Sequence, residues 1–418
     1  MELTVAELFA GVGGFRCGLN KVKLMNDKVI EDNTWDFVYA NQWEPSTKTQ
    51  PAFECYIQRF GISENHQNID INLVNKEKIP NHNLLVGGFP CQDYSVARTK
   101  SNEKGIEGVK GVLWWDIVDT IEAKKPPFLL LENVDRLLRS PSNQRGKDFG
   151  IMLRSLADND YCVQWRVINA ADYGFPQKRR RIFIFAYKKS TNYYKKISKY
   201  NNSEIIFNEG LFAKSFPIKN KILEKSKGII NKEKYTDLVD VSDNFELHFY
   251  NSGIMNDGVI YSVKTEPIIS EITPLKNILE DGNIDEKYFL NEEKLEKFKY
   301  LKGKKRIERT SKTGRKYIFS EGSIPFPENL DVPARTMLTS ESTTNRSSHI
   351  VKDKKTGKLR TLTPIEAERL NMFPDNWTKI EDKSMTERRR YFMMGNALVV
   401  GIIEHLGEYL KEIFENED

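Results

Sequence analysis

The sequence is poor in the features that mark several protein classes. Four cysteines, Cys17, Cys55, Cys91 and Cys162, are scattered through 418 residues with no CxxC pair. That scatter argues against a disulfide framework and against a structural zinc site, so no metal is expected and a reducing, cytoplasmic setting fits. No apolar run approaches the roughly 18 residues of a membrane span, so no membrane association is expected. The opening MELTVAELFAGVGGF has no basic stretch ahead of its apolar run and does not read as a secretory signal. Internal repeats are absent. Charge is not strongly one-sided: a net +5 permits a polyanionic partner without demonstrating one. What remains, 39% hydrophobic and 29% charged residues, is the composition of a soluble globular protein. Its length suits two domains at roughly 100–200 residues each.

Up to about Lys188, short apolar runs alternate with helix-like segments. LTVAELFA (3–10) leads into a glycine turn, and DFVYAN (36–41) into a segment ending AFECYIQRFG. NLLVGGF (83–89) is followed by a polar loop and then by VLWWDIVDTIEA (112–123), which has helical spacing. FLLLENV (128–134), YCVQWRVINA and RIFIFAY complete the series as strands. Strands alternating with helices predict an α/β fold with a doubly wound, mostly parallel sheet. Ligands in such sheets sit at the carboxyl ends of the strands. The glycine turn, Pro90–Cys91–Gln92 and Glu132–Asn133 all fall at predicted strand ends.

From about Ser190 to Phe326 the chain is rich in Lys, Asn and Ile and weakly periodic, which predicts a second, smaller, irregular and partly β domain. Its segment 297–319 is strongly basic with interleaved aromatics. Regular patterning returns after LDVPARTMLT. Pro364 should open a short helix, and a final helix from about Ala397 to Phe414 carries an apolar stripe that should pack back onto the first domain. The expected division is therefore 1–188 with 330–418, and 189–329.

Several motifs offer chemistry. FAGVGGF (9–15) lets the backbone turn tightly and approach a ligand beside a helix N-terminus, although many such turns use glycine for packing only. In GGFPCQDYS (87–95) a thiol at a strand end can act as a nucleophile once ionised, or can be a buried structural cysteine. Structural roles are expected for Cys17, Cys55 and Cys162. Glu132 closes a very apolar strand. Partial desolvation would raise its pKa and let it donate a proton, but a Glu there can also cap a helix or pair with an arginine. In QKRRRIFIF (177–185), alternation sends Arg179 and Arg181 to one face and Arg180 to the other, where a solvated edge is expected.

The order FAGVGGF, PCQ, ENV, QKRRR, a variable region, RTLTPIEAERLNMFPDNW and GNALVV resembles the bacterial carbon-5 cytosine-specific DNA methyltransferases. The resemblance covers residue 4 to about 188 and about 330 to the end. It implies the S-adenosylmethionine-dependent methyltransferase fold and transfer of a methyl group to carbon 5 of a cytosine flipped out of a specific double-stranded DNA sequence, in a restriction-modification setting. Four catalytic residues follow from it. Cys91 would attack carbon 6, Glu132 would contact ring nitrogen 3 and the exocyclic amine, Arg181 would lie near the cytosine carbonyl, and Arg179 would help hold the cysteine loop and the phosphates. The chemistry is coherent, because cytosine is a poor electrophile that needs covalent activation and charge neutralisation. A stacked base must also leave the duplex to be reached.

For the cofactor S-adenosylmethionine, with S-adenosylhomocysteine as product, the resemblance implies a pocket of Phe9, Gly11, Val12, Gly14, Gln42, Trp43, Asp70, Ile71, Pro90, Leu113, Asn396 and Ala397. Trp43 would stack on the adenine. The family usually carries a glutamate just before that tryptophan to bind the ribose. This chain has Gln42 there and Glu44 two residues on, and a neutral amide bonds a hydroxyl more weakly than a carboxylate does. The loop 93–111 resembles a lid over the flipped base, though a plain surface loop would look the same. Segment 189–329 corresponds to the target-recognition region. Within it, 297–319 is a candidate for phosphate and major-groove contact, or else a solvated charged face. Expected partners are duplex DNA and a cognate restriction endonuclease acting on the same site, with the chain itself a monomer. Transfer-RNA cytosine methyltransferases can share PCQ and ENV and form the alternative enzyme class. A catalytically silent DNA-binding regulator would require a broken site, and Cys91, Glu132 and Arg181 are all present.

Overall fold

The computed structural model describes residues 1–45, 47–89, 113–311 and 314–417. Pro90, Cys91 and the loop 93–111 lie outside the described residues. Among the described residues, no helix is long and apolar enough to cross a membrane.

Ten strands form one sheet: β1 (Thr4–Leu8), β2 (Asp36–Asn41), β3 (His66–Gln67), β4 (Leu84–Gly88), β5 (Phe128–Val134), β6 (Tyr161–Asn169), β7 (Arg180–Lys188), β8 (Glu224–Ile229), β9 (Ser252–Asn256) and β10 (Val259–Lys264). Their spatial order is β8-β10-β9-β6-β7-β5-β4-β1-β2-β3. β1 to β5 are mutually parallel. β7 inserts antiparallel between β5 and β6. The mostly parallel, doubly wound core expected from the alternation is present. It is also longer than expected, because β9, β10 and β8 continue it beyond β6 as antiparallel neighbours. These three strands come from chain beyond Lys188, where periodicity is weak.

Period-two alternation explains why the central strands read as unbroken apolar runs. Val5, Leu84, Val86, Phe128 and Leu130 point to one face, while Ala6, Leu8, Leu85, Leu129 and Leu131 point to the other. Both faces are covered, so neither set can be polar. The first face lies under α1 (Gly14–Leu19) and the C-terminal helix. The second lies under α3 (Leu113–Lys124) and α4 (Lys147–Asp158). α2 (Pro51–Phe60) joins a third cluster, in which Val12, Cys17 and Cys55 meet Met337, Trp377 and Met393 from the C-terminal part of the chain.

Beyond the sheet lie α5 (Glu292–Lys302), the two-stranded ribbon β11 (Lys305–Thr310) and β12 (Lys316–Glu321), the short pair β13 (Ile350–Lys352) and β14 (Leu359–Thr361), and α6 (Pro364–Leu370), α7 (Glu387–Asn396) and α8 (Val400–Glu415). α6 starts at Pro364 as expected, within a capping box between Thr363 and Glu366. The last helix does pack back, but it starts three residues later than the apolar stripe suggested. Ala397 ends α7 in an extended conformation, and the chain bends there before Val400. Ile402, Ile403, Leu406, Leu410 and Phe414 are each 2% exposed or less.

α1 is short and depends on α8 for its burial. Gly18 provides the close approach: a Cβ there would stand 2.5 Å from the Ile403 Cβ and 2.8 Å from the Val400 carbonyl oxygen. Neither group is the free end of a flexible side chain, so one helix must move. Gly18→Ala is expected to destabilise the fold by about 1–3 kcal/mol, read as a lower urea midpoint with unchanged slope.

Candidate active site

The glycine turn after β1 is held from below and from both sides. Phe9 ends the strand with a positive φ of 56°, and Gly11 and Gly13 follow at 57° and 84°. A Cβ on Gly13 would lie 2.4 Å from the Phe60 ring, so glycine is required there by both backbone and space. The Cβ position of Gly11 opens onto empty space, which leaves its backbone approachable by a ligand. The Gly11 N–H donates to Gln42 Oε1 at 2.7 Å. Trp377, wholly buried, donates its indole N–H to the Val12 carbonyl at 2.8 Å.

Beneath the turn, Glu7 is 0% exposed. The Tyr56 hydroxyl donates to its Oε2 at 3.3 Å, and its Oε1 has no hydrogen-bond partner among the described residues. Burial raises its pKa from 4.5 to about 8, with Arg16 opposing the shift. Gly14 touches the C-terminal segment, since a Cβ there would lie 3.1 Å from Leu398 Cγ. Ala397, next to Leu398, packs against the cluster that holds Val12 of the turn.

The residues expected to hold the cofactor differ in how they present themselves. Trp43, just past β2, is 36% exposed, an unusual allowance for a large aromatic ring and one that suits stacking. Gln42 has its carbonyl oxygen committed to the turn. Glu44 lies beside the N-terminus of α2, near the Ala52 N–H, and burial raises its pKa. Its place at a helix N-terminus disfavours it as the ribose acceptor. Asp70 turns to its own short helix, accepting from the Asn72 N–H at 3.1 Å and from the Asn72 side chain at 2.9 Å. Ile71 is buried, and Lys76 ties its carbonyl to Asp116 of α3, the helix that Leu113 opens. An open glycine backbone, an exposed indole and flanking apolar side chains fit an adenosine-bearing ligand.

The candidate catalytic rim is the carboxyl end of β4 and β5 together with the start of β7. Register places Val134 opposite Arg181 and Gly88 beside Glu132. Arg181 Nε meets Glu132 Oε1 at 2.9 Å, with side chains 18% and 13% exposed. Glu132 therefore pairs with an arginine at the rim. Burial raises its pKa, while Arg181 and then Arg179 pull it back. A Cβ on Gly88 would come 3.2 Å from Glu132 Oε2, so that glycine leaves room for the carboxylate.

Arg180 is exposed, as expected, and bonds Asp135 at 3.3 Å. Arg179 departs from expectation. It is 1% exposed and donates to the Met337 carbonyl at 3.2 Å and the Gly395 carbonyl at 2.9 Å. Burial lowers its pKa to about 9, with Arg181 adding to the effect. The phosphate contact expected of it is not available at that depth, because alternation turned it into the protein rather than towards a surface.

Cys91 and Pro90 lie outside the described residues, which on this side end at Phe89. Asn133, 2% exposed, donates its side-chain N–H to the Phe89 carbonyl at 2.9 Å and accepts from the Val134 N–H at 2.7 Å. The sequence reading quoted Asn133 within ENV but gave it no role. Its signal was present, since a buried amide following a wholly apolar strand must find partners. Glu7 and Trp377 were also overlooked. The other three cysteines are buried, and burial pushes the Cys55 and Cys162 thiols up to about 12 and Cys17 up as well. They are inert as nucleophiles at neutral pH.

Two outcomes follow. Asn133→Leu leaves the Phe89 carbonyl and Val134 N–H unpaired and should lower stability by about 1–3 kcal/mol by denaturant titration, with single-turnover methylation slowed. Glu7 generates a pH window. Between pH 4.5 and about 8 the folded chain holds a proton that the unfolded chain has released, so stability falls as pH rises across that range. Glu7→Gln should flatten this part of the melting-temperature profile. A variant that kept the wild-type slope would assign it to another group.

A family model for the C-5 cytosine-specific DNA methylases matches residues 3–412. The chain is 51% identical over 417 residues to the type II methyltransferase M.Sau3AI of Staphylococcus aureus, covering 99% of this chain and 96% of that one. It is 34% identical over 190 residues to the type II methyltransferase M.HhaI of Haemophilus parahaemolyticus, covering 46% of this chain and 50% of that one. Among solved structures, the fold is similar to S. pombe Dnmt2 methyltransferase with a TM-score of 0.57 at 15% identity, covering 98% of this chain and 99% of that one. The glycine turn, the Glu132–Arg181 rim and a match across nearly the whole length make this chain a member of the C-5 cytosine-specific DNA methylase family, with S-adenosylmethionine as methyl donor and carbon 5 of cytosine in DNA as acceptor.

Proposed function

We propose that the chain is the modification enzyme of a type II restriction-modification system and that Cys91, Glu132 and Arg181 carry its chemistry. The observation that supports this most is the Arg181–Glu132 pair at 2.9 Å on the strand-end rim. It stands beside β4, whose exit Asn133 pins by its bond to the Phe89 carbonyl, two residues before Cys91. The Cys91 thiolate adds to carbon 6 of the cytosine, which sends electron density towards carbon 5 and ring nitrogen 3. Glu132, whose pKa burial raises, donates to nitrogen 3 when protonated and accepts from the exocyclic amine. Arg181 neutralises charge on the cytosine carbonyl and orients Glu132. S-adenosylmethionine supplies the methyl group that carbon 5 takes up. A base then removes the carbon-5 proton, and the carbon–sulfur bond breaks to release Cys91 as thiolate.

Gly11, Trp43 and Ile71 line the cofactor side in this reading, with Gln42 rather than Glu44 nearest the ribose because Glu44 lies beside the N-terminus of α2. Arg179 acts as a positioning residue. Catalysis is assigned to 1–188 with 330–418. Reading of the target is assigned to the later part of 189–329, since 224–264 completes the sheet. The chain acts as a monomer on duplex DNA, alongside a cognate endonuclease that cuts the same unmethylated site.

Cys91→Ala should abolish methyl transfer to duplex DNA and retain cofactor binding; methylation at the wild-type rate would refute the assignment. Arg181→Ala tests the pair through pH. Arg181 lowers the Glu132 pKa, so its loss should reduce kcat and move the alkaline limb of the kcat/KM profile to higher pH. A limb that stayed in place would remove Glu132 as the titrating acid. Bisulfite sequencing of DNA from cells expressing the chain identifies the methylated site.

A further inference from the structure

The ribbon of β11 and β12 stands out as an element with no core of its own. Its six cross-strand pairs run from Lys305–Glu321 at the base to Thr310–Lys316. Arg306, Glu308, Arg309 and Thr310 are exposed on one strand, and Lys316, Tyr317 and Ile318 on the other. Tyr317 is 45% and Ile318 56% exposed. A two-stranded ribbon open to water on both faces is marginally stable by itself. Residues 305–321 carry six basic and two acidic side chains, so an anionic partner is favoured.

The ribbon is nevertheless held firmly at its base. Arg346 reaches both stems. Its Nη1 donates to the Leu301 carbonyl at 2.9 Å and to the Gly303 carbonyl at 3.3 Å, before β11. Its Nη2 donates to the Gly322 carbonyl, after β12. Glu321 lies 3.5 Å from the same guanidinium. One residue away, the Ser347 carbonyl accepts from Arg335, and Arg335 is paired in turn with Glu328. The next residues along, Thr336 and Met337, are bound to Lys178, Gln177 and Arg179. Hydrogen bonds, linked through the chain at 346–347 and 335–337, therefore join the ribbon base to the segment that carries Arg181.

We infer that this ribbon enters the major groove of the substrate duplex, that Arg309 is its reading residue and Arg306, on the opposite face by alternation, its phosphate contact, and that Arg346 is the positioning residue that aims it relative to the catalytic rim. This rests on the reading of the chain as a DNA methyltransferase and adds the element that selects the sequence. The major groove, about 12 Å wide, admits a two-stranded ribbon whose strands lie about 4.8 Å apart. Arginine is the side chain best suited to guanine edges and backbone phosphates there. Arg309 is preorganised for this: its guanidinium lies over the Phe319 ring at 3.8 Å, which orients it without satisfying its donors. Arg346 needs the fork of a guanidinium to span both stems, which a lysine cannot do.

The test uses the full-length protein and a duplex bearing the site it methylates. Arg306→Ala/Arg309→Ala should raise KM for DNA about tenfold or more and reduce discrimination against single-base variants of the site, with cofactor affinity and thermal transition unchanged. Arg346→Ala and Arg346→Lys should both erode that discrimination. Lys23→Ala/Lys28→Ala, an equal loss of exposed charge in a separate antiparallel pair (Lys23–Met25 with Lys28–Ile30), should leave KM and discrimination at wild-type values. The inference is overturned if the ribbon double variant keeps wild-type KM and discrimination, if the control pair weakens DNA binding equally, or if the ribbon variants change only the oligomeric state. Because these measurements read DNA affinity and selectivity, they separate from the test of Cys91. Loss of the ribbon effect with an essential Cys91 would sink this inference alone, and methylation without Cys91 would sink the catalytic assignment alone.

Discussion

A guanidinium buried to 1% exposure joins the two halves of this molecule. Arg179 sits where the sheet rim begins and bonds carbonyls 158 and 216 residues further along the chain. An unpaired charge at that depth would be prohibitive, and two carbonyl acceptors with Glu132 nearby make it tolerable. The same contact closes the C-terminal segment against the glycine turn and the strap at residues 334–337 against the start of β7. Removing it would leave two buried carbonyls unsatisfied on separate segments, so its effect would reach both the donor side and the acceptor side of the site.

Around that joint the molecule separates two kinds of rigidity. The cofactor side is built from backbone. The glycine turn is fastened by Gln42 and Trp377 so that Gly11 stays open. The reacting side is built from a charge pair at intermediate exposure, in which burial raises the Glu132 pKa and Arg181 opposes the rise. The ribbon of β11 and β12 is different again, with little apolar support and a base held by hydrogen bonds from Arg346.

The comparison of sequence with structure is instructive in its unevenness. Cys17, Cys55 and Cys162 were legible as structural from their scatter, and burial raises their thiols out of reach of ionisation. Arg180 was legible as a solvated edge. Arg179 was placed correctly on the opposite face from Arg180, but that face turned out to be interior, because alternation gives sides and not depths. The strands at 224–264 were hidden for a different reason. β8 is largely exposed, while β9 and β10 are buried but short and mix Ser, Gly, Asn and Lys among their apolar residues, which dilutes the apolar signal.

The sequence by itself determined the strand series, the glycine turn, the apolar stripe of the last helix and the order of motifs that marks the family. All of these are local patterns, written in periods of two or 3.6 residues or in short words. Tertiary structure alone decided that Glu132 meets Arg181, that Asn133 pins Phe89, that Arg179 spans to Met337 and Gly395, and that Arg346 clasps the ribbon. Each of these contacts depends on the register between segments or on a backbone carbonyl brought from far along the chain, and a carbonyl is carried by every residue. No residue type at the receiving end could have announced them.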